Sequence, residues 1–317
     1  MIRKAIRKAI VAGSFYPSDQ AQLNKMLEKT FLGKFGPGML PKGKAERKCD
    51  DAGKGKGADT GEASIVIVPH AGYIYSGQCA AHAYAALKNA DCFVILGTNH
   101  SGYGNADFLL SHEDFETPLG IVKNDIELGE VLLQKCKEKN IDTAFDDAAH
   151  GLEHSIEVQL PFLQFIYKTK TLRILPVIVN RHNLNRHNKR SCEIFKMFAR
   201  CIIEAAKKIR RSICFIASSD FTHYGAAYGF LPFPPQEARK KLYQLDKKAI
   251  DAILDLDTER FLEIAQSTTI CGAGAIAIAI EAAKILKRKG KLLSYYTSAD
   301  IVGNYSTAVG YAAISFS

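Results

Sequence analysis

Ile65-Val66-Ile67-Val68-Pro69-His70-Ala71-Gly72-Tyr73 sets four apolar β-branched residues before a proline, a histidine and a glycine. A short apolar run of this kind reads as a strand buried on both faces, as in a parallel sheet, rather than one half exposed to water. Proline lacks the N–H that a ladder needs, so the strand stops there. The polar residues then fall just past its carboxyl end. Two further stretches repeat the arrangement. Cys92–Leu96 runs into Gly97-Thr98-Asn99-His100-Ser101-Gly102, and Ile213–Ala217 runs into Ser218-Ser219-Asp220-Phe221-Thr222-His223-Tyr224-Gly225. In open α/β sheets, ligands bind outside the carboxyl ends of the strands. A single loop histidine is ordinary surface chemistry. Three of them, each delivered by a separate buried strand into a glycine-containing turn, point to one polar site.

Helical periodicity alternates with these strands. It predicts helices over Gly77–Leu87, Asp125–Lys139, Glu153–Ile166, Gln236–Ile253 and Gly272–Leu286, and strands over Leu172–Val179, Leu292–Ser298 and Ser306–Ser315. Such alternation implies an α/β fold, a mainly parallel sheet flanked by helices on both faces. The 317 residues are read as a single domain, 1–317. Residues 33–63 are rich in Gly, Lys, Asp and Pro and poor in large apolar side chains, and read as a flexible insertion that includes Cys49.

The formal net charge is +9. Between Arg181 and Arg211 basic residues interleave with Ile194, Phe195, Phe198, Ile202, Ile203 and Ile209 at helical spacing. That is a surface helix with a solvated basic face, or with an anion-binding one. Nucleic acid is not expected. Eight cysteines without a CxxC pair argue for a reducing, cytoplasmic compartment. The basic, amphipathic start lacks the continuous apolar core of a secretory signal, and Ala273–Ile280 is too short to span a bilayer.

Two more stretches carry chemistry. Cys271, in Thr269-Ile270-Cys271-Gly272, opens the last long helix, where the positive end of the dipole favours thiolate. The same position also suits a small buried residue at a tight helix entry. Glu153-His154-Ser155-Ile156-Glu157 would place Glu153 and Glu157 on one face of a helix. It supplies ligands or supporting groups, or is simply an acidic helix start. His82 reads as packed; His112, His182 and His187 lie in polar loops; His150 is open to either reading.

Taken in order along the chain, Val11-Ala12-Gly13-Ser14-Phe15-Tyr16-Pro17, residues 69–77, Ile95–Gly102, Glu153–Pro161, Ser218–Gly225 and Ile270-Cys271-Gly272 resemble the Memo family. This is the protein B member of the AmmeMemoRadiSam set, related in fold to class III (extradiol) ring-cleaving dioxygenases. The resemblance implies a metal site of His70, His100 and Cys271, with Asp220 and His223 lining the same pocket. The dioxygenases have a carboxylate where this chain offers Cys271. Thiolate is softer and suits copper, zinc or iron, so classical catechol cleavage is not assigned. The favoured expectation is a dioxygenase-like redox metalloenzyme of iron or copper, with His223 moving protons, Asp220 orienting it, and Glu153 and His154 in support. Two alternatives stand beside it: a module that binds a peptide or other partner in the same pocket, and a zinc hydrolase. The resemblance also implies a functional link to a radical S-adenosylmethionine enzyme and an AMMECR-type protein.

Overall fold

The structure, a computed structural model, describes residues 5–41, 62–168, 172–180 and 189–317. The chain begins β1 (Ile6–Arg7), α1 (Gln20–Leu32), β2 (Ile65–Val68), α2 (Tyr73–Ala86) and β3 (Cys92–Thr98). Short strands follow: β4 (Phe108–Leu110), β5 (Asp114–Thr117) and β6 (Gly120–Asn124). Then come α3 (Ile126–Glu138), β7 (Thr143–Phe145), α4 (Asp147–Gly151), α5 (Leu160–Tyr167), β8 (Arg173–Val179) and α6 (Lys189–Lys208). The last part holds β9 (Ile213–Ser218), β10 (His223–Tyr224), α7 (Pro235–Leu254), α8 (Thr258–Gln266) and α9 (Ala273–Leu286). It closes with β11 (Gly290–Thr297), α10 (Ser298–Val302) and β12 (Ala308–Phe316).

All the strands among the described residues join one mixed sheet, whose main path is β1-β5-β6-β8-β3-β9-β2-β12-β10. Its centre, β6-β8-β3-β9-β2, is parallel throughout. The apolar runs are buried on both faces because alternate side chains feed separate cores. Ile65, Ile67, Val94 and Leu96 pack with residues of α3, α6, α8 and α9. Val66, Val68, Phe93 and Ile95 pack with residues of α1, α2 and α5. The helix α9 is buried from Ala273 to Ala283, and its alanines let it lie close under the sheet. Among the described residues, no helix is long and apolar enough to cross a membrane.

The anticipated strands and most of the helices occur within a few residues of their expected bounds. One does not. Glu153–Ile166 is not a continuous helix, since α5 starts only at Leu160 and residues 153–156 form a turn. The Glu153 carboxylate accepts the N–H groups of His100 and Ser155, which holds its own backbone out of helix. Glu153 and Glu157 therefore share no face. Glu157 instead points to the N-terminal segment. Its carboxylate, fully buried, accepts from the Arg7 guanidinium, the Tyr16 hydroxyl and the N–H groups of Ile10 and Val11. Four helices lie outside the expected set, the five-residue α4 and α10 and the longer α1 and α8, which bury only narrow stripes such as Leu23, Leu27 and Phe31 of α1.

Within the stretch read as an insertion, residues 42–61, Cys49 among them, lie outside the described residues. Its described flanks are packed: the Phe35 N–H bonds the Gln78 side chain, and the Phe35 ring lies 5.1 Å from that of Tyr296. His182 and His187 also lie outside the described residues.

Candidate metal centre

Strand register brings the polar turns together. Ile67 of β2 and Leu96 of β3 both pair with Ala217 of the intervening β9. His70, His100 and Asp220 each follow within four residues of that level, so they emerge side by side. Cys271 arrives from below, one residue before the cap of α9. Gly272 makes this entry possible. A Cβ there would sit 2.6 Å from the Ser218 carbonyl oxygen and from Ser219 Cβ.

The tautomers of the two central histidines follow from their partners. The Ser218 hydroxyl donates its one proton to the Ser155 carbonyl at 2.7 Å. It can therefore only accept from His70, whose Nδ1 lies 2.9 Å away. Nδ1 carries the proton, and Nε2 turns its lone pair to the Cys271 sulfur at 3.1 Å. His100 Nδ1 lies 3.0 Å from a Glu153 carboxylate oxygen, so it too donates, and Nε2 is left for Cys271. A histidine whose other N–H is held by a carboxylate or hydroxyl is oriented to bind a metal through its second nitrogen, which for His100 must first give up its proton.

Electrostatics sorts the histidines. Burial, reinforced by neighbouring His100 and His154, pushes His70 well below its ordinary value. Burial also holds His154 down to about 4. For His100 burial works the same way, but hydrogen bonds with Cys271 and Glu153 outweigh it and raise the ring to about 10. Burial disfavours the charge of Glu153, yet its bonds with His100 bring it down to about 2.

His70, His100 and His154 place ligand atoms within 4.8 Å of one another. Cys271 is buried behind His70, touching Ser219 and the Asp220 N–H, rather than in the wall of the cleft. His154 stacks on His100 at 24°, and its Nδ1 lies 3.5 Å from Glu153. These three rings together could hold a metal ion. The cleft above has a volume of about 690 Å³ and is lined by His70, His100, His154, Asp220 and His223 among others.

Asp220 lies close enough to His223 for their charges to interact, but its hydrogen bond goes elsewhere. One of its oxygens accepts the backbone N–H of His70 at 2.7 Å, and burial raises its pKa. His223 is held instead by Thr269, which accepts Nδ1–H at its carbonyl, 3.0 Å away, and the backbone N–H at its hydroxyl, 2.7 Å away. Sequence reasoning missed Ser218 and Thr269 as the anchors of His70 and His223. Both are neighbours of residues it named, but a hydroxyl or carbonyl that fixes a tautomer leaves no spacing signal. The remaining described histidines have structural partners: His82 faces the Phe35 carbonyl, His112 pairs with Asp147, and buried His150 reaches the Leu109 carbonyl.

Compared with known proteins, residues 7–315 match the family described as Memo-like protein. The chain is 38% identical to a MEMO1 family protein of Methanopyrus kandleri, over 98% of each chain. It is also 38% identical to one of Desulfurococcus amylolyticus, again over 98% of each, and 36% identical to one of Nitrosopumilus maritimus over 98% of this chain and 99% of the relative.

Proposed function

The chain belongs to the Memo-like family, and from that premise we propose that the cleft is a redox metal centre in which His70, His100 and Cys271 hold iron or copper. The observation that carries this reading is the convergence of donors. The Nδ1 of each histidine is held by a neighbour, and the Nε2 of His70 faces a thiol at 3.1 Å. Two imidazoles and a thiolate suit a borderline or soft transition metal and give little to magnesium or calcium. Bound there, iron or copper would supply redox chemistry at the floor of the cleft, in keeping with the dioxygenase-like character drawn from the sequence.

The chain's own residues have separate tasks. Glu153 fixes the ring of His100 and compensates positive charge beside it. Ser218 and Asp220 hold His70 by its ring and by its backbone. His223 has Nδ1–H engaged by Thr269, so its Nε2 is the atom that takes up or gives a proton. His154 stands by as a further nitrogen donor on the cleft side. Zinc also accepts this donor set, and with His223 as base it would make the protein a hydrolase.

The test is metal content after anaerobic purification, for wild type and Cys271→Ser, with His223→Ala in parallel. Near-stoichiometric iron or copper, lost in Cys271→Ser and retained in His223→Ala, is the expected result. Zinc in the same pattern moves the function to hydrolysis. No metal in wild type, even after reconstitution, overturns the proposal and favours a pocket for peptides or other partners.

A further inference from the structure

A second concave surface lies outside the cleft, between residues 230–235 and helix α7. Its volume is about 730 Å³. Phe230, Phe233 and Leu245 give it apolar walls, and Lys241, Lys247 and Lys248 stand along α7. Gln244, Asp251 and Ser267 supply the polar remainder, with Pro232 at the lip. The spacing on α7 is helical: Lys241, Gln244, Leu245 and Lys248 recur at three- and four-residue steps and so share one face. Leu231, beside this lining, is 53% exposed and extends the apolar rim. Exposed apolar groups gathered at a concave site mark an interaction surface.

The wall formed by residues 230–235 is set before any ligand arrives. Prolines at 232, 234 and 235 restrict its backbone. The Phe233 ring stacks on Tyr224 at 4.9 Å and 6°, and the Tyr224 hydroxyl donates to the Phe233 carbonyl at 2.7 Å. A bridge between Gly225 and Phe230 ties down the near end. A surface ordered in advance loses little entropy on binding.

The charges are partly uncommitted. Lys247 is engaged by Asp251, one turn on and 2.6 Å away. Lys241 lies 3.7 Å from Glu237, with both side chains about half exposed, and surface pairs of this kind hold weakly. Lys248 is exposed and has no acidic partner among the described residues. Three lysines against one carboxylate leave the lining positive. That suits carboxylates set beside apolar side chains. It suits nucleic acid poorly, because affinity there grows with each phosphate neutralised and two of the three lysines already face acids.

We propose that this groove docks an acidic peptide segment of a partner protein, with apolar side chains against Phe230, Phe233 and Leu245 and carboxylates against Lys241 and Lys248. The groove shares no lining residue with the cleft, so the proposal does not rest on the metal-centre reading. The two surfaces are nevertheless neighbours: Tyr228 lines the cleft and Phe230, two residues on, lines the groove. A partner held in the groove is thereby brought to the mouth of the cleft.

The test uses the full chain and unlabelled acetylated peptides, titrated by ligand-observed NMR at pH 7.5 and low ionic strength. The peptide EELFEE is expected to bind about tenfold more tightly than KKLFKK, and also more tightly than EEGSEE, which lacks the apolar pair. Lys241→Glu combined with Lys248→Glu should weaken EELFEE about tenfold, the effect of reversing two exposed charges. Leu245→Ala should weaken it about threefold through lost apolar contact. Circular dichroism checks that each variant is folded. Equal affinity for EELFEE and KKLFKK overturns the proposal, as does no binding of EELFEE or unchanged affinity in the double-lysine variant. Tighter binding of an oligothymidylate would make the groove a nucleic-acid site, and loss of EELFEE binding in His223→Ala would put the peptide in the cleft; either overturns it. Metal content is untouched by all these outcomes, so the two readings fail separately.

Discussion

Glu157→Gln exchanges one atom in a fully buried cluster and removes a charge. In the native carboxylate one oxygen serves Arg7 and the Ile10 N–H at 2.9 Å. The other serves the Tyr16 hydroxyl at 2.6 Å and the Val11 N–H at 3.0 Å. A glutamine amide keeps one accepting oxygen, and its NH₂ group meets the other two donors head-on. Arg7, itself 3% exposed, is left without its counter-charge. Its other bonds, to the carbonyls of Lys8, His150 and Glu153, are to neutral groups. Breaking one side of a buried pair costs about 3–5 kcal/mol. At about 2.1 cal/mol/K per residue, the unfolding entropy of this chain is about 0.7 kcal/mol/K. Thermal unfolding followed by circular dichroism should therefore show Tm lowered by about 4–7 °C. Tyr16→Phe removes one donor, about 1 kcal/mol, and should lower Tm by about 1–2 °C. A Glu157→Gln protein melting within 1 °C of wild type would refute the cluster as the anchor of the N-terminal segment.

His150 donates Nε2–H to the Leu109 carbonyl, its buried Nδ1 has no partner, and burial depresses its pKa to about 4. The unfolded chain protonates this group near 6.5 and the folded one does not, so its contribution is intact above 6.5 and is lost as pH falls towards 4. Urea unfolding should show a loss from this residue of about 2 kcal/mol between pH 7.5 and pH 5; an identical pH profile in His150→Asn would contradict it. Gly272→Ala drives a methyl to 2.6 Å from the Ser218 carbonyl, so α9 must shift at a cost of about 1–3 kcal/mol. Metal titration of that variant should show weakened binding; unchanged affinity and stability would mean the helix entry is more tolerant than its contacts imply. Glu153→Gln, which loosens the hold on His100, should weaken metal binding by about 10–100-fold, and equal affinity would remove Glu153 from the site.

The sheet and the site differ in how legible they were. The buried strands read clearly because runs such as Ile65–Val68 and Cys92–Leu96 are apolar on both faces, and a sheet centre between two helical layers demands that. The short strands β4 to β7 have three to five residues each, too few for alternation to show. The helix expected at Glu153 failed because a tertiary bond, from Glu153 to the His100 backbone, overrode local preference. His70, His100, Asp220 and His223 were legible as strand-end residues, since parallel strands deliver their carboxyl ends to one place. Their partners were not. That Asp220 serves the backbone of His70, and Thr269 the ring of His223, depends on contacts of 2.7 and 3.0 Å made across chain separations of 150 and 46 residues.

The strand that delivers His70 lies between β9 and β12, and the thiol facing that histidine is 201 residues away in the chain. During synthesis from the N-terminus, β2 therefore waits with both edges unpaired until β9 is made, and with one edge open until the final strand is released. If His70, His100 and Cys271 hold the proposed metal, loading would wait until β12 has closed the sheet, and a ribosome stalled before Cys271 would carry a chain with two of the three proposed donors.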